Sequence, residues 1–160
     1  MASSSYLLLS QIMQYRVCRK AIVPYSDAQM YALVYDIPSY SEFVPWCTEG
    51  YIDSVEDNKV LGVLVFSRFG MQYTLKTLNT CYEPSKIALS LAEGPLDKLH
   101  GAWVFQTTGS GCEVLLELDV VMQSYGLNML FSNMFDTLSK QLVQIFVQRA
   151  KKVYGNSSTD

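Results

Sequence analysis

Among 160 residues the chain has a single histidine, His100. Chemistry that needs several imidazoles, as acid, base or metal ligand, is therefore excluded. Cys18, Cys47, Cys81 and Cys112 are far apart and include no C-x-x-C pair, so the common zinc-site spacings are absent and no metal is expected. In the absence of a secretory signal these cysteines are expected to be reduced, mostly buried thiols. No glycine-rich loop is available to cradle a phosphate. No apolar run approaches the roughly 20 residues that cross a bilayer. Residues 1–12 carry three successive leucines but no basic n-region and no small-residue cleavage site, and they read as a frayed tail, with Met13 as an alternative start. Charge is scarce too: 17% of residues are Asp, Glu, Lys or Arg and the net charge is −3. That balance argues against a large basic surface wrapped around DNA.

Apolar side chains are plentiful instead, with 49% hydrophobic and 12% aromatic residues. A chain of this length buries about 70% of its unfolded surface in one domain, and the surplus of apolar residues can line a cavity or an interface. Residues 14–24 alternate and end at Pro24, as a strand does. Ser26 and Gln29 form a capping-box pattern for a helix over 27–36. Pro38 ends that helix, 39–43 can form one more turn, and Val44-Pro45 predicts an extended exit.

Residues 48–123 read as strands separated by turn signals at Asp57-Asn58, Gly70, Glu83-Pro84-Ser85, Glu93-Gly94-Pro95 and Gly109-Ser110-Gly111. Connections this short make antiparallel hairpins, because parallel strands need crossovers of a dozen or more residues. In the strand over 112–123, Val114, Leu116, Leu118, Val120 and Met122 share one face while Glu113, Glu117 and Asp119 share the other. In 60–69 both faces are apolar.

The last element is the clearest. Leu127, Leu130, Phe131, Met134, Phe135, Leu138, Leu142, Ile145, Phe146 and Val153 repeat at helical spacing, opposite Asn128, Ser132, Asp136, Ser139, Lys140, Gln144 and Gln148. At 1.5 Å per residue this helix is about 42 Å long. Gly155 suits a left-handed C′ position, and Arg149, Lys151 and Lys152 suit the negative end of the dipole. These elements pack in few ways. The predicted fold is α+β: a curved seven-stranded antiparallel sheet wrapped around the long C-terminal helix, with one or two short helices after the first strand. This is a helix-grip over residues 13–155, with a disordered tail at 156–160. A sheet so curled leaves a concave apolar space where small molecules bind.

Three segments resemble a known family. Val23-Pro24-Tyr25-Ser26 with Gln29-Met30-Tyr31, Leu33-Val34, Asp36-Ile37, Tyr40 and Phe43-Val44-Pro45-Trp46-Cys47 is similar to the start of the coenzyme Q-binding START-domain family, within the polyketide cyclase/START-like (Bet v 1-like) superfamily. Gly94-Pro95-Leu96, Leu99, Gly101 and Trp103-Val104-Phe105 resemble its centre, and residues 149–155 its end. The resemblance implies a non-enzymatic protein that binds ubiquinone, an isoprenoid quinone, as ligand rather than as a required cofactor, in support of respiratory electron transport or ubiquinone biosynthesis. It equally admits the family's ribosome-association toxins, which act on the large ribosomal subunit and block translation initiation. A third alternative is a polyketide cyclase-like enzyme. The implied location is the bacterial cytoplasm or the periphery of the inner membrane, near respiratory complexes.

The residues expected to line the cavity are Phe66, Phe69, Tyr73, Trp103, Phe105, Phe131, Phe135, Leu138 and Leu142, each of which could equally be plain core. Arg68, Tyr73 or the backbone at Trp46 would reach a quinone carbonyl. Trp46 either plugs the cavity mouth or touches a membrane interface, where tryptophan is enriched. A ribosome or anionic lipid would be met by Arg16, Arg19, Lys20, Arg149, Lys151 and Lys152; the plainer reading is a solvated face and dipole compensation. For catalysis, a Cys47–His100 pair lacks an orienting third group, the carboxylates sit in turns or on a wet strand face, and a cyclase would need a pocket arginine, for which Arg68 is the candidate.

Overall fold

The computed structural model describes residues 12–123, 126 and 128–155. Leu127, residues 1–11 and residues 156–160, read above as part of the helix and as tails, lie outside the described residues. β1 (Ile12–Val23) is followed by α1 (Asp27–Tyr35) and a 3-10 helix (Ile37–Glu42). Then come β2 (Cys47–Glu56), β3 (Lys59–Arg68), β4 (Met71–Tyr82), β5 (Lys86–Glu93), β6 (Lys98–Thr107) and β7 (Cys112–Gln123), and α2 (Asn128–Tyr154) closes the chain. The seven strands form one antiparallel sheet in the order β1-β7-β6-β5-β4-β3-β2. Tight turns set the meander, and the sole long-range pairing among the described residues, β1 with β7, runs in unbroken register from Ile12–Gln123 to Val23–Cys112.

Bulges curve the sheet. The register shifts twice between β2 and β3 and once between β4 and β5, and each extra residue bends its strand and increases the local twist. α2 lies in the concavity. Even-numbered side chains of β7 from Cys112 to Met122 are all buried, as the alternation predicted. β3 is apolar on both sides as expected: Val60 and Phe66 point inward, while Val63 and Val65 are buried on the outer face, where Val63 lies between Tyr51 and Lys76 in register.

Local rules explain the short helices. The Ser26 hydroxyl accepts from the Gln29 amide and the Gln29 side chain accepts from the Ser26 amide, completing the capping box of α1. Pro38 sits in the first turn of the 3-10 helix, where a missing N–H costs no hydrogen bond, so it opens a second helix instead of ending the segment. Ile37 then presses on the sheet at two glycines. A Cβ at Gly50 would lie 2.4 Å from the Ile37 carbonyl oxygen, and one at Gly62 would lie 2.5 Å from Ile37 Cδ1.

Three expectations are corrected. β1 begins at Ile12, inside the segment read as a tail. The exit after Pro45 is a turn rather than an extended strand, because Trp46 adopts φ +65°. Ser132 and Ser139, assigned to the wet arc of the last helix, are fully buried, whereas Val153 is exposed. The hydroxyls make this possible: Ser132 donates to the Gln123 carbonyl, and Ser139 pairs with the Tyr15 hydroxyl at 3.1 Å. The buried arc is therefore broader than the apolar stripe, reaching Val143, Val147 and Ala150, since a concave sheet encloses more of the helix than a flat one.

The C-terminal end is held by two tyrosines. Tyr25 donates to the Gly155 carbonyl at 2.7 Å and Tyr154 to the Gln29 carbonyl at 2.9 Å, with the Tyr25 and Tyr154 rings 5.7 Å apart. Gly155, at φ +72°, takes the left-handed C′ position and its amide bonds back to Lys151. Overpacking a tight contact costs roughly 1–3 kcal/mol. Gly62→Ala is accordingly expected to lower the urea-unfolding free energy by about that amount, whereas Gly109→Ala, where an added Cβ meets no atom within 4 Å, stays within about 0.5 kcal/mol of the parent.

Candidate functional site: an apolar cavity beneath the C-terminal helix

Between α2 and the sheet lies a cavity of about 90 Å³. Its floor comes from Leu64, Phe66, Leu75, Leu89, Leu99, Trp103 and Leu118, its lid from Phe135, Leu138, Leu142 and Phe146, and one end from Val34, Ile37, Tyr40 and Val44. Polar atoms are few. Tyr40 donates its hydroxyl to the Val34 carbonyl, and burial pushes its pKa far above the usual phenol range. The Thr77 hydroxyl donates to Asn79 Oδ1 at 2.8 Å. Tyr40 is thus the single titratable residue of the lining, and no group of three or more potential metal ligands occurs among the described residues.

Of the eleven residues expected at the ligand site, nine as lining with Arg68 and Trp46 beside them, five line the cavity: Phe66, Trp103, Phe135, Leu138 and Leu142. Phe105 and Phe131 are buried in the surrounding core, Phe105 stacked on Trp103 and Phe131 against Phe66 and Tyr73. Tyr73 is half-buried below Phe131, and its hydroxyl has no hydrogen-bond partner among the described residues. Arg68 and Phe69 are not cavity residues at all. They occupy the β3–β4 hairpin tip, where Phe69 is 73% exposed at φ +53°. The Arg68 guanidinium lies 4.5 Å from the Trp46 ring centroid and 4.7 Å from that of Phe69. Neither Arg68 nor Trp46 lines the cavity: Arg68 is the last residue of β3, and its guanidinium is stacked against Trp46 and Phe69 at the hairpin tip.

The missed lining follows a readable rule. On β4 the inward face repeats every second residue, so the inward placement of Tyr73 carries with it Leu75, Thr77, Asn79 and Cys81. An asparagine on an otherwise apolar buried face is the signal that the search for aromatics passed over. The contribution of Ile37 and Val44, by contrast, depends on how the 3-10 helix docks, which no periodicity encodes.

The basic residues form no single patch. β1 packs along one flank of α2 through Tyr15 and Ser139, and there Arg16 pairs with Glu117 at 3.3 Å. Arg149 leans on the other flank, stacked 4.8 Å from the Phe43 ring and 3.5 Å from the Glu42 carboxylate. Arg19, Lys20, Lys151 and Lys152 are exposed. Beside Arg149 runs a surface groove lined by Gln141, Gln144, Gln148, Ile145 and Lys152.

The nucleophile pair does not assemble. Cys47 is buried, donates to the Glu49 carbonyl and has its pKa raised by burial, whereas His100 is exposed on β6, in register with Ser90 and Asp119. The thiols are free, but Cys18 is exposed rather than buried.

A curved sheet gripping one helix around an apolar cavity defines a START-like ligand-binding fold. Residues 23–147 match the family described as polyketide cyclase / dehydrase and lipid transport, and the chain belongs to this family. It is 34% identical over 148 residues to the ribosome association toxin RatA of Escherichia coli strain K12, covering 92% of this chain and 94% of that protein. It is 26% identical over 145 residues to the mitochondrial coenzyme Q-binding protein COQ10 homolog B of Xenopus laevis, covering 84% of this chain and 57% of the other. Among solved structures, the Zhui aromatase/cyclase of Streptomyces sp. R1128 shares the fold with a TM-score of 0.75 at 13% identity, over 91% of this chain and 99% of that one. No helix among the described residues is long and apolar enough to cross a membrane.

Burial of Cys112 between β7 and its neighbours raises its pKa to about 11 from an ordinary 9.0, with a smaller push from Asp27. A raised thiol pKa stabilises the fold fully below the unfolded value, and that contribution is lost as pH climbs through the folded value. Between pH 9 and 11 the parent is therefore expected to lose more melting temperature than Cys112→Ala, as differential scanning calorimetry across that range would measure.

Proposed function

We propose that this protein associates with the ribosome, as the name of its E. coli relative describes, and that it does so without catalysing a reaction. The observation that carries this reading is the 34% identity running through 92% of the chain and 94% of RatA. The large subunit is the partner and the cytoplasm the location that the family resemblance implies. Lys151, Lys152 and Arg149, with the glutamine-lined groove, are the surface we assign to the contact; Arg16, Arg19 and Lys20, on the opposite flank and partly neutralised by Glu117, are secondary. A non-enzymatic role is supported by the cavity lining, whose lone titratable side chain is a tyrosine already bonded to a backbone carbonyl. The arginine that a cyclase reading would require in the pocket stands at the hairpin tip.

A second reading, ubiquinone in the cavity in support of respiration, is favoured by the apolar lining and by the more distant relation to the COQ10 homolog. Size limits it. Ligand pockets are typically 300–1,000 Å³, and a space of about 90 Å³ admits a ring or a short chain; a polyisoprenoid tail enters only if α2 lifts from the sheet.

Three phosphate contacts would make binding to ribosomal RNA fall roughly 20- to 40-fold between 50 and 200 mM salt. Co-sedimentation with isolated large subunits across that range is the test. A Lys151→Glu/Lys152→Glu double variant should lose binding at 50 mM salt while keeping the parent's melting temperature. Parent protein that remains in the supernatant at 50 mM salt would sink the proposal.

A further inference from the structure

The cavity has one polar end, and that end adjoins a second opening. Asn79 is 8% exposed, and its side chain lines the cavity among aliphatic and aromatic groups. Among the described residues its hydrogen-bond partner is the Thr77 hydroxyl, received on Oδ1 at 2.8 Å. The Nδ2 donors are left for the cavity. Tyr40, whose hydroxyl donates to the Val34 carbonyl, makes no hydrogen bond to them. Donors that face the cavity among apolar side chains favour a ligand that brings an acceptor.

Two residues further along the inward face of β4 is Cys81, which lines a surface cleft of about 470 Å³ with Tyr31, Tyr35, Val60, Asp57 and Glu83. Val60 and Asn79, both buried, stand on neighbouring strands in register and separate cleft from cavity. The same step occurs on α1, where Val34 faces the cavity while Tyr31 and Tyr35 face the cleft. The charged residues of the cleft lining are both acidic, Asp57 and Glu83. No lysine or arginine lines either space.

We propose that the cavity is a binding site for a compact, neutral molecule that carries a carbonyl-type oxygen: its apolar ring or short chain fills the cavity and its oxygen accepts from Asn79 Nδ2, with the acidic cleft on the far side of the Val60–Asn79 pair. Fatty acids, phosphorylated metabolites and other anions are rejected, because burial strips their hydration, the cavity lining holds no cation and the neighbouring cleft carries two carboxylates. The inference rests on the cavity being a ligand site, the second reading above, and is independent of ribosome association.

The probes are acetophenone, ethylbenzene and benzoate, which share a ring and differ in carrying a neutral oxygen, none, or a charge. NMR titration of the full chain is the measurement. Acetophenone is expected to shift the Asn79 side-chain amide resonances, ethylbenzene to shift cavity methyls while leaving that amide in place, and benzoate to bind at least about tenfold more weakly than acetophenone. In Asn79→Leu the ratio of acetophenone to ethylbenzene affinity should drop about tenfold, the equivalent of one hydrogen bond to a buried donor; taking the ratio cancels the probes' different hydrophobicity. Thr77→Val, which frees the amide to rotate, should lower the same ratio by a smaller factor and carries the comparison should Asn79→Leu fail to fold. An unchanged ratio in both variants, an unmoved Asn79 amide in the parent, or benzoate binding as tightly as acetophenone overturns the proposal while leaving the cavity a ligand site. Failure of all three probes to bind overturns both, and co-sedimentation with ribosomes is unaffected by either result.

Discussion

Everything in this molecule depends on the burial of α2 in the concave face of the sheet. Without it Leu116, Leu118, Trp103 and Phe66 would face water, and the sheet would have no reason to curve. The contact is largely aromatic: Phe146 meets Trp103, Tyr40 and Phe43 at centroid distances of 5.1 to 5.3 Å, and Phe131 meets Tyr73 and Phe135 at 5.0 and 5.6 Å. Rings at such separations gain beyond their area burial. The Tyr25 and Tyr154 hydrogen bonds then fasten the end of the helix to the start of α1, so the first and last segments of the family resemblance meet in space. Their role in this chain is to close the grip.

The same closure explains the small cavity. Large rings interdigitate until about 90 Å³ remains, well short of what an isoprenoid ligand fills. The fold thus retains the architecture of a ligand-binding protein while much of its interior is occupied by its own side chains. A shared fold does not carry function, and the aromatase/cyclase likeness, at 13% identity, shows the fold alone. Function has to be sought in the side chains that this frame carries: an acidic cleft, one buried amide, and cations in the last turns of α2.

The hairpin meander, the capping box and the terminal helix were legible because each depends on near neighbours in the chain, whereas the pairing of β1 with β7 joins the two ends and was not. Period-two alternation in β7 and period 3.6 in α2 are direct consequences of backbone geometry, and the boundaries of β4 and β7 agree with the turn residues that flank them. The site was less legible. Phe66, Trp103, Phe135, Leu138 and Leu142 were found because large inward side chains on a known fold have few places to go. Arg68 and Phe69 misled because the strand ends there: Arg68 lies at the tip beyond the cavity, and Phe69, left-handed with Gly70, leaves the strand's alternation. Ser132 and Ser139 misled because polarity predicts exposure only where no partner is available, and Tyr15 and Gln123, more than a hundred and nine residues away respectively, supplied the partners.

The sequence by itself determined the class of fold, the order of its elements and the family, since periodicity, turn chemistry and motif are written along the chain. Tertiary structure alone decided which side chains enclose the cavity, that Asn79 is its free polar group, and that the two basic clusters lie on opposite flanks of α2. The reason is physical: those properties depend on sheet curvature and on the docking of the 3-10 helix against Gly50 and Gly62, contacts between residues that no local pattern links.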